Sequence, residues 1–282
     1  MIDISRRKVL KAGSLSVIAG AGIIAGLNLP KVKDAKASTV DHPYGYPVPG
    51  LDVAETRQLA YNGYYGIRLA DGITHKHCAF ATFHALISQL ADTMGGPYTE
   101  IPTQMMEWAS GGVAGYASLC GAINGACAAI GIICKNADAT AIISNLLNWA
   151  STSSLPMLLA DSQLDVKISG ELPQTIAGSE LCHVSVTKWC LASGYASGSA
   201  ERSERCARLA GDIAARAVEL LNGAALTEDV PVDSTVCGQC HYSGTDYDAG
   251  QFTRGFTDCT SCHVDLNKVS EEGHFSSIIK PE

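Results

Sequence analysis

Cys120-Gly121-Ala122-Ile123-Asn124-Gly125-Ala126-Cys127 lies at the centre of a small-residue run over residues 104–135. Gly111, Gly112, Gly115, Gly121, Gly125 and Gly131 are spaced through this run among many alanines. Small residues lower intrinsic helix propensity, but they let helices approach closely. The pattern therefore predicts a buried central helix with other helices packed around it. Cys120, Cys127 and Cys134 recur every seven residues and so share one face of such a helix.

The flanking segments carry the same signal. Residues 51–71 place Val53, Ala60, Tyr64 and Ile67 on one helical face, and Gly72 breaks the pattern. A second helix runs over 74–93 with an apolar stripe of Phe80, Phe83, His84, Ile87, Leu90 and Met94, closed by Gly95-Gly96-Pro97. Further helices are expected over 137–150, 180–191 and 199–221, the last burying Cys206, Leu209, Ile213 and Leu220 before Gly223. Residues 41–50 read as an extended lead-in and 151–174 as mostly loop. No segment has the strand period and no long repeat is visible. The fold class is all-α, with a helical domain over 51–222, a linker at 224–235 and a small, irregular C-terminal segment over 231–282.

That C-terminal segment holds Cys237-Gly238-Gln239-Cys240-His241 and Cys259-Thr260-Ser261-Cys262-His263. C-x-x-C-H is the signature of c-type haem attachment. The two thiols add to the porphyrin vinyl groups, and the histidine supplies the proximal iron ligand, here His241 and His263. A redox dithiol or half of a zinc site would use the same cysteine spacing. Two copies that both end in histidine, in an exported chain, favour two covalently bound haem c groups. Distal ligands are then needed. His274 in the tail is the leading candidate, followed by His75 and His77 beside Cys78. His84 sits on the apolar stripe and reads as a core histidine, and His183 is uninformative.

Export is read from the other end. Arg6-Arg7-Lys8 precedes a mildly apolar run over residues 12–29 and a small-x-small site at Ala35-Lys36-Ala37, the form of a cleaved twin-arginine signal over 1–37. No other stretch is apolar enough to span a membrane. The expected location is periplasmic. Without residues 1–37 the chain carries 13 basic and 26 acidic residues, a net charge of −13. From Glu228 onward ten acids face only Arg254, Lys268 and Lys280. This balance argues against nucleic acid and towards a basic protein partner, such as a basic soluble cytochrome.

Eleven cysteines are present. Four belong to the haem motifs, leaving Cys78, Cys120, Cys127, Cys134, Cys182, Cys190 and Cys206. Disulfides are the ordinary reading in an oxidising compartment, but seven is odd, so at least one thiol does something else. The element Cys120-Gly121-Ala122-Ile123-Asn124-Gly125, with Cys78 upstream, resembles a family of redox-active proteins defined by four cysteines around a C-G-A-x-x-G element. Cys206-Ala207-Arg208-Leu209-Ala210-Gly211-Asp212 resembles that family's last cysteine position, and the third stays open between Cys182 and Cys190. The helical module joined to two C-x-x-C-H motifs behind an export signal resembles the split-Soret cytochrome c family. That resemblance implies a homodimer, two closely stacked haems per subunit and an iron–sulfur cluster in the helical domain. It gives Cys78, Cys120, Cys190 and Cys206 as cluster ligands, with Cys182 as the substitute for Cys190. Folding before export also suits a cofactor inserted in the cytoplasm, which haem c is not.

Two classes of function remain. An electron carrier needs two six-coordinate haems. A terminal haem reductase of a small oxidised substrate needs one open iron. Spare histidines outnumber the vacant axial positions, which favours the carrier and a non-enzymatic role.

Overall fold

The computed structural model describes residues 40–226. The expected signal segment over 1–37, the linker beyond residue 226 and the C-terminal tail lie outside these residues. With them lie Cys237, Cys240, His241, Cys259, Cys262, His263 and His274.

Helix α1 (Val53–Tyr65) starts where the Asp52 side chain accepts the Glu55 N–H at 2.8 Å. It is followed by a two-residue antiparallel pair, β1 (Ile67–Arg68) on β2 (Thr74–His75). Then come α2 (Cys78–Met94), short 3₁₀ turns at Tyr98–Glu100 and Thr103–Ala109, α3 (Gly121–Ile133) and α4 (Asn136–Thr152). A second small pair, β3 (Ser154–Leu155) on β4 (Thr175–Ile176), brackets the short α5 (Leu159–Ser162). The last elements are α6 (Cys182–Ser193) and α7 (Ala200–Leu221), the latter capped by the Ser199 hydroxyl on the Arg202 N–H at 3.1 Å.

The all-α class holds, and the core is where α7 packs on α1, α2, α3 and α4. Phe83, Leu86, Leu90, Ile130, Ile133, Ile213 and Val218 are buried in one contiguous cluster. Each such side chain contributes about 1.5–3 kcal/mol by leaving water. Helices α2 and α3 approach so closely that a Cβ on Gly125 would lie 2.1 Å from the Ala79 carbonyl oxygen. The Thr82 hydroxyl closes the same seam by donating to the Ala122 carbonyl at 2.9 Å.

Three expectations are corrected. The small-residue run is not helical from residue 104. The helix begins at Gly121, because Gly111, Gly112 and Gly115 all take positive φ and wind the preceding stretch into a loop. The predicted second helix begins at Cys78 rather than near residue 74, since Thr74 and His75 are spent on the β1–β2 pair. The four strands among the described residues are two residues each, too short to leave a period-two pattern in the sequence.

Candidate metal centre

Four of the seven helical-domain cysteines meet at one cavity of about 300 Å³. Each comes from a different helix: Cys78 opens α2, Cys120 is the N-cap of α3, Cys182 opens α6 and Cys206 lies in the second turn of α7. Three thiols thus sit at helix N-termini, where unpaired N–H groups and the positive end of the helix dipole favour a thiolate. The Gly111 N–H is directed at the Cys78 sulfur, and those of Ile123 and Ala122 at Cys120. Gly121 is required here, because a Cβ at that position would lie 2.4 Å from the Cys78 sulfur.

The local backbone is shaped for the same end. His77, immediately before Cys78, holds φ 81° and ψ 171°, a region that is almost confined to glycine. Its N–H donates to the Tyr64 carbonyl at 3.0 Å, and its carbonyl accepts the Ala81 N–H at 2.9 Å. Residues 111–117 include five positive-φ positions, Gly111, Gly112, Val113, Ala114 and Gly115, before Ala117 makes a sixth. They bring Ser110 and Gly111 over the thiols. The start of α6 is pinned by Cys182 and His183 N–H bonds to the carbonyls of Ser118 and Ala117, at 2.7 and 3.0 Å.

All seven thiols are free. Burial pushes Cys78 up to about 12, with the neighbouring Cys120 adding to the rise. Burial likewise raises Cys182 to about 12, and it raises Cys120 despite the helix N–H groups. The apolar surroundings therefore keep these thiols protonated at neutral pH until a cation draws them into ionisation. Two arginines supply positive charge nearby. Arg202 donates to the Tyr64 hydroxyl at 3.4 Å, and Arg205 donates to the Ser185 hydroxyl at 2.7 Å with its other arm 3.9 Å from the Cys206 sulfur.

Of the two cysteines left open for the third position, the cavity is lined by Cys182, the substitute, and not by the preferred Cys190. The latter lies two turns further along α6, about 12 Å at 1.5 Å per residue, and does not line the cavity. Cys127 and Cys134 are also elsewhere. Cys134 packs 3.9 Å from His42 Nδ1 and lines a separate open groove. Among the described residues no three His, Cys, Asp or Glu side chains are close enough to share a single metal ion.

The candidate distal histidines separate. His75 is buried with Nε2 2.9 Å from Asp71 Oδ2 and Nδ1 3.1 Å from Glu107 Oε2, so both ring nitrogens are engaged by carboxylates. The two carboxylates, Asp71 first through its hydrogen bond, raise its pKa. An iron could take His75 only by breaking this clamp. His77 is exposed and lines the thiol cavity. His84 is a satisfied core residue, as its stripe position implies, with Nδ1 2.8 Å from the Thr103 hydroxyl and its ring stacked on Phe80.

Residues 77–220 match a family described as "Putative redox-active protein (C_GCAxxG_C_C)". Over 279 residues the chain is 30% identical to the split-Soret cytochrome c of Desulfovibrio desulfuricans, covering 93% of this chain and 95% of that one. The chain belongs to the split-Soret cytochrome c family. A solved structure, described as a novel iron centre in the split-Soret cytochrome c from that organism, is 29% identical with a TM-score of 0.66. It covers 80% of this chain and 97% of its own. The family's description has G-C-A-x-x-G, not the C-G-A-x-x-G expected from this sequence, and this chain has the first two residues transposed, Cys120-Gly121-Ala122. The transposition puts the sulfur at the helix cap and leaves the close approach to Cys78 to a residue with no side chain.

Arg202, Arg205 and Ser185 were not singled out from the sequence, and Tyr64 was named only for its helical face. One signal was available for Arg202. It falls in register with Cys206, Leu209 and Ile213 at spacings of four, three and four on the buried face of α7.

Proposed function

We propose that this chain is an exported dihaem c-type cytochrome that passes electrons between protein partners and carries an additional iron–sulfur centre at Cys78, Cys120, Cys182 and Cys206. The observation that carries the proposal is the convergence of four reduced thiols, from four helices, on one cavity with N–H donors and arginines aimed at it. Four cysteine thiolates are the usual ligand set of an iron–sulfur cluster. Such a group takes up and releases single electrons. The protein's own part is to hold four sulfurs rigidly, to supply N–H bonds to them, and to limit water around them with Val186 and Leu209.

The two C-x-x-C-H motifs carry the haems, through Cys237, Cys240, Cys259 and Cys262, with His241 and His263 proximal. His274 and the exposed His77 are the proposed distal ligands. The iron named for the Desulfovibrio relative and its cytochrome class support this reading. The proposed setting is periplasmic, by the twin-arginine route, as a homodimer that serves a basic redox protein.

The test is quantitation of haem, non-haem iron and acid-labile sulfide on the purified full chain, with low-temperature EPR. Two haems plus labile sulfide are expected. Haem without sulfide would reduce the thiol cavity to a structural feature.

A further inference from the structure

The four thiols of the cavity are not equally served by the backbone. Cys78 has the N–H groups of Gly111 and Ala79 directed at its sulfur, and Cys120 has those of Ile123 and Ala122. Cys182 is the first residue of α6, beside that helix's free N–H groups. Cys206 differs. It is the seventh residue of α7, past the turn whose N–H groups are free, so the backbone around it is spent on the helix itself.

Side chains stand in that place. Arg202, one turn earlier on the same face, directs its guanidinium at the Cys206 sulfur. Arg205 adds a longer contact, 3.9 Å from that sulfur. Arg202 is braced on both sides. Its Nε donates to the Ser197 carbonyl and its Nη1 to the Tyr64 hydroxyl at 3.4 Å, and Tyr64 is itself a wall of the cavity. Burial opposes the charge on this half-buried guanidinium, while the Cys206 sulfur and the Tyr64 hydroxyl favour it. The helix gives no reason for a cation there. Arg202 is the third residue of α7, in the first turn, where the helix dipole disfavours positive charge. What it faces accounts for its placement.

We infer that Arg202 is the positioning residue for Cys206, its braced guanidinium donating to that sulfur the hydrogen bond which backbone N–H groups give Cys78 and Cys120, and thereby holding the reduction potential of the centre up. This rests on the iron–sulfur reading above. A hydrogen bond to a ligand sulfur draws off charge and stabilises the more electron-rich, reduced form. Its removal lowers the potential.

The experiment uses the full haem-loaded chain as wild type, Arg202→Met, Arg202→Lys and, as a control on the same helix, Arg216→Met. EPR-monitored redox titration follows the non-haem centre, and the haem bands serve as an internal reference. Arg202→Met is expected to shift the oxidised–reduced equilibrium roughly tenfold, which is about 59 mV downward for one electron. The haem potentials should stay in place, and Arg216→Met should show no shift. Lysine keeps a donor and a charge but loses the planar fork, so Arg202→Lys should recover most of the shift. Resonance Raman spectra in light and heavy water give a second readout. The wild-type Fe–S stretching bands should move on exchange, and that movement should shrink in Arg202→Met. A merely structural arginine would lower stability without moving either signal.

A centre at the wild-type potential in Arg202→Met would overturn the inference, and so would a shift that Arg202→Lys does not reduce. If Arg202→Met assembles no centre, a lysine variant that assembles one supports it, and a lysine variant that fails as completely overturns it. Wild-type protein without labile sulfide would instead overturn the cluster reading itself.

Discussion

The two helix seams that flank the thiol cavity are built on opposite physics. Between α2 and α3 the contact is apolar and extremely close, set by Gly121 and Gly125, with alanines on both sides. Between α1 and α7 it is ionic. Glu204 is fully buried and accepts hydrogen bonds from Tyr61 at 2.9 Å, Tyr65 at 2.5 Å and Arg208 at 2.8 Å. Arg208 in turn donates to the carbonyls of Gly170 and Ile168, tying the 157–171 loop to the core. A seam made of backbone proximity fixes distance, which is what Cys78 and Cys120 need. A seam made of charges fixes register, since each partner has one place to go. The cavity draws thiols from both seams and from α6.

The largest effect that separates these regions concerns the thiols themselves. Cys182→Ser should remove the non-haem iron and labile sulfide entirely while leaving both haems, whereas Cys190→Ser should leave all three at wild-type levels. Metal and sulfide analysis on the two variants checks this. Retention in Cys182→Ser together with loss in Cys190→Ser would reinstate the ligand set preferred from sequence.

The ionic seam should fail next. Glu204→Leu strands the Arg208 guanidinium and two tyrosine hydroxyls in the core, so urea unfolding should register a loss of about 3–5 kcal/mol. Replacing both partners, as Glu204→Leu with Arg208→Met, should lose less than the single change, because no buried charge is left alone. A double variant worse than Glu204→Leu would show that the loop carbonyls, rather than the charge pair, dominate this seam.

The close seam should respond to one methyl group. Gly125→Ala aims a Cβ at the Ala79 backbone, which cannot rotate away, so α2 and α3 must separate. A loss of roughly 3 kcal/mol, at the upper end of overpacking, is expected from chemical denaturation. Propensity alone would favour alanine by about 1 kcal/mol, so a stabilised variant would mean that the seam is looser than the distance implies.

These seams also mark what the sequence could and could not reveal. The apolar stripe of α7 is plain from spacing, and Leu209, Ile213 and Leu220 are indeed buried. On the same helix Glu204, Arg205, Arg208 and Asp212 are buried as well, although polar residues between stripe positions ordinarily face water. Only the packing of α1 and the 157–171 loop over that face reveals them. Gly125 was legible as a close-packing residue, while its neighbours at 111–115 were misjudged, because a glycine in a turn and a glycine in a helix contact look alike in sequence. The choice of Cys182 over Cys190 was beyond spacing altogether. Both lie on α6, and which end of that helix meets the other thiols is a tertiary fact. The tail was the reverse case, with chemistry written in its C-x-x-C-H motifs and no pattern to indicate its fold.

The smallest effect is a pH dependence inside the ionic seam. Its two pairs are unequal. Glu204 and Arg208 share a short, multiply hydrogen-bonded contact, whereas Asp212 Oδ1 and Arg57 Nε face each other at 3.6 Å and neither atom has a hydrogen-bond partner. Asp212 Oδ2 accepts only the Met157 N–H at 2.8 Å. Burial is then the larger influence, and it pushes the Asp212 carboxyl up to about 6 even though the Met157 N–H and Arg57 favour its ionised form. The ordinary aspartate value in the unfolded chain is about 3.9. Between these values the folded state binds more protons than the unfolded state, so stability falls as pH rises from about 4 to about 6. Below the lower value, where both states are protonated, the contribution is constant. Asp212→Asn, which mimics the protonated acid, should remove this slope, so that its stability relative to wild type rises between about pH 4 and about pH 6 and is constant below. Measuring urea midpoints at half-unit pH steps in wild type and variant separates the slope from the offset. A wild-type slope that persists unchanged in Asp212→Asn would assign the titration to another group and leave the two ion pairs of α7 equivalent.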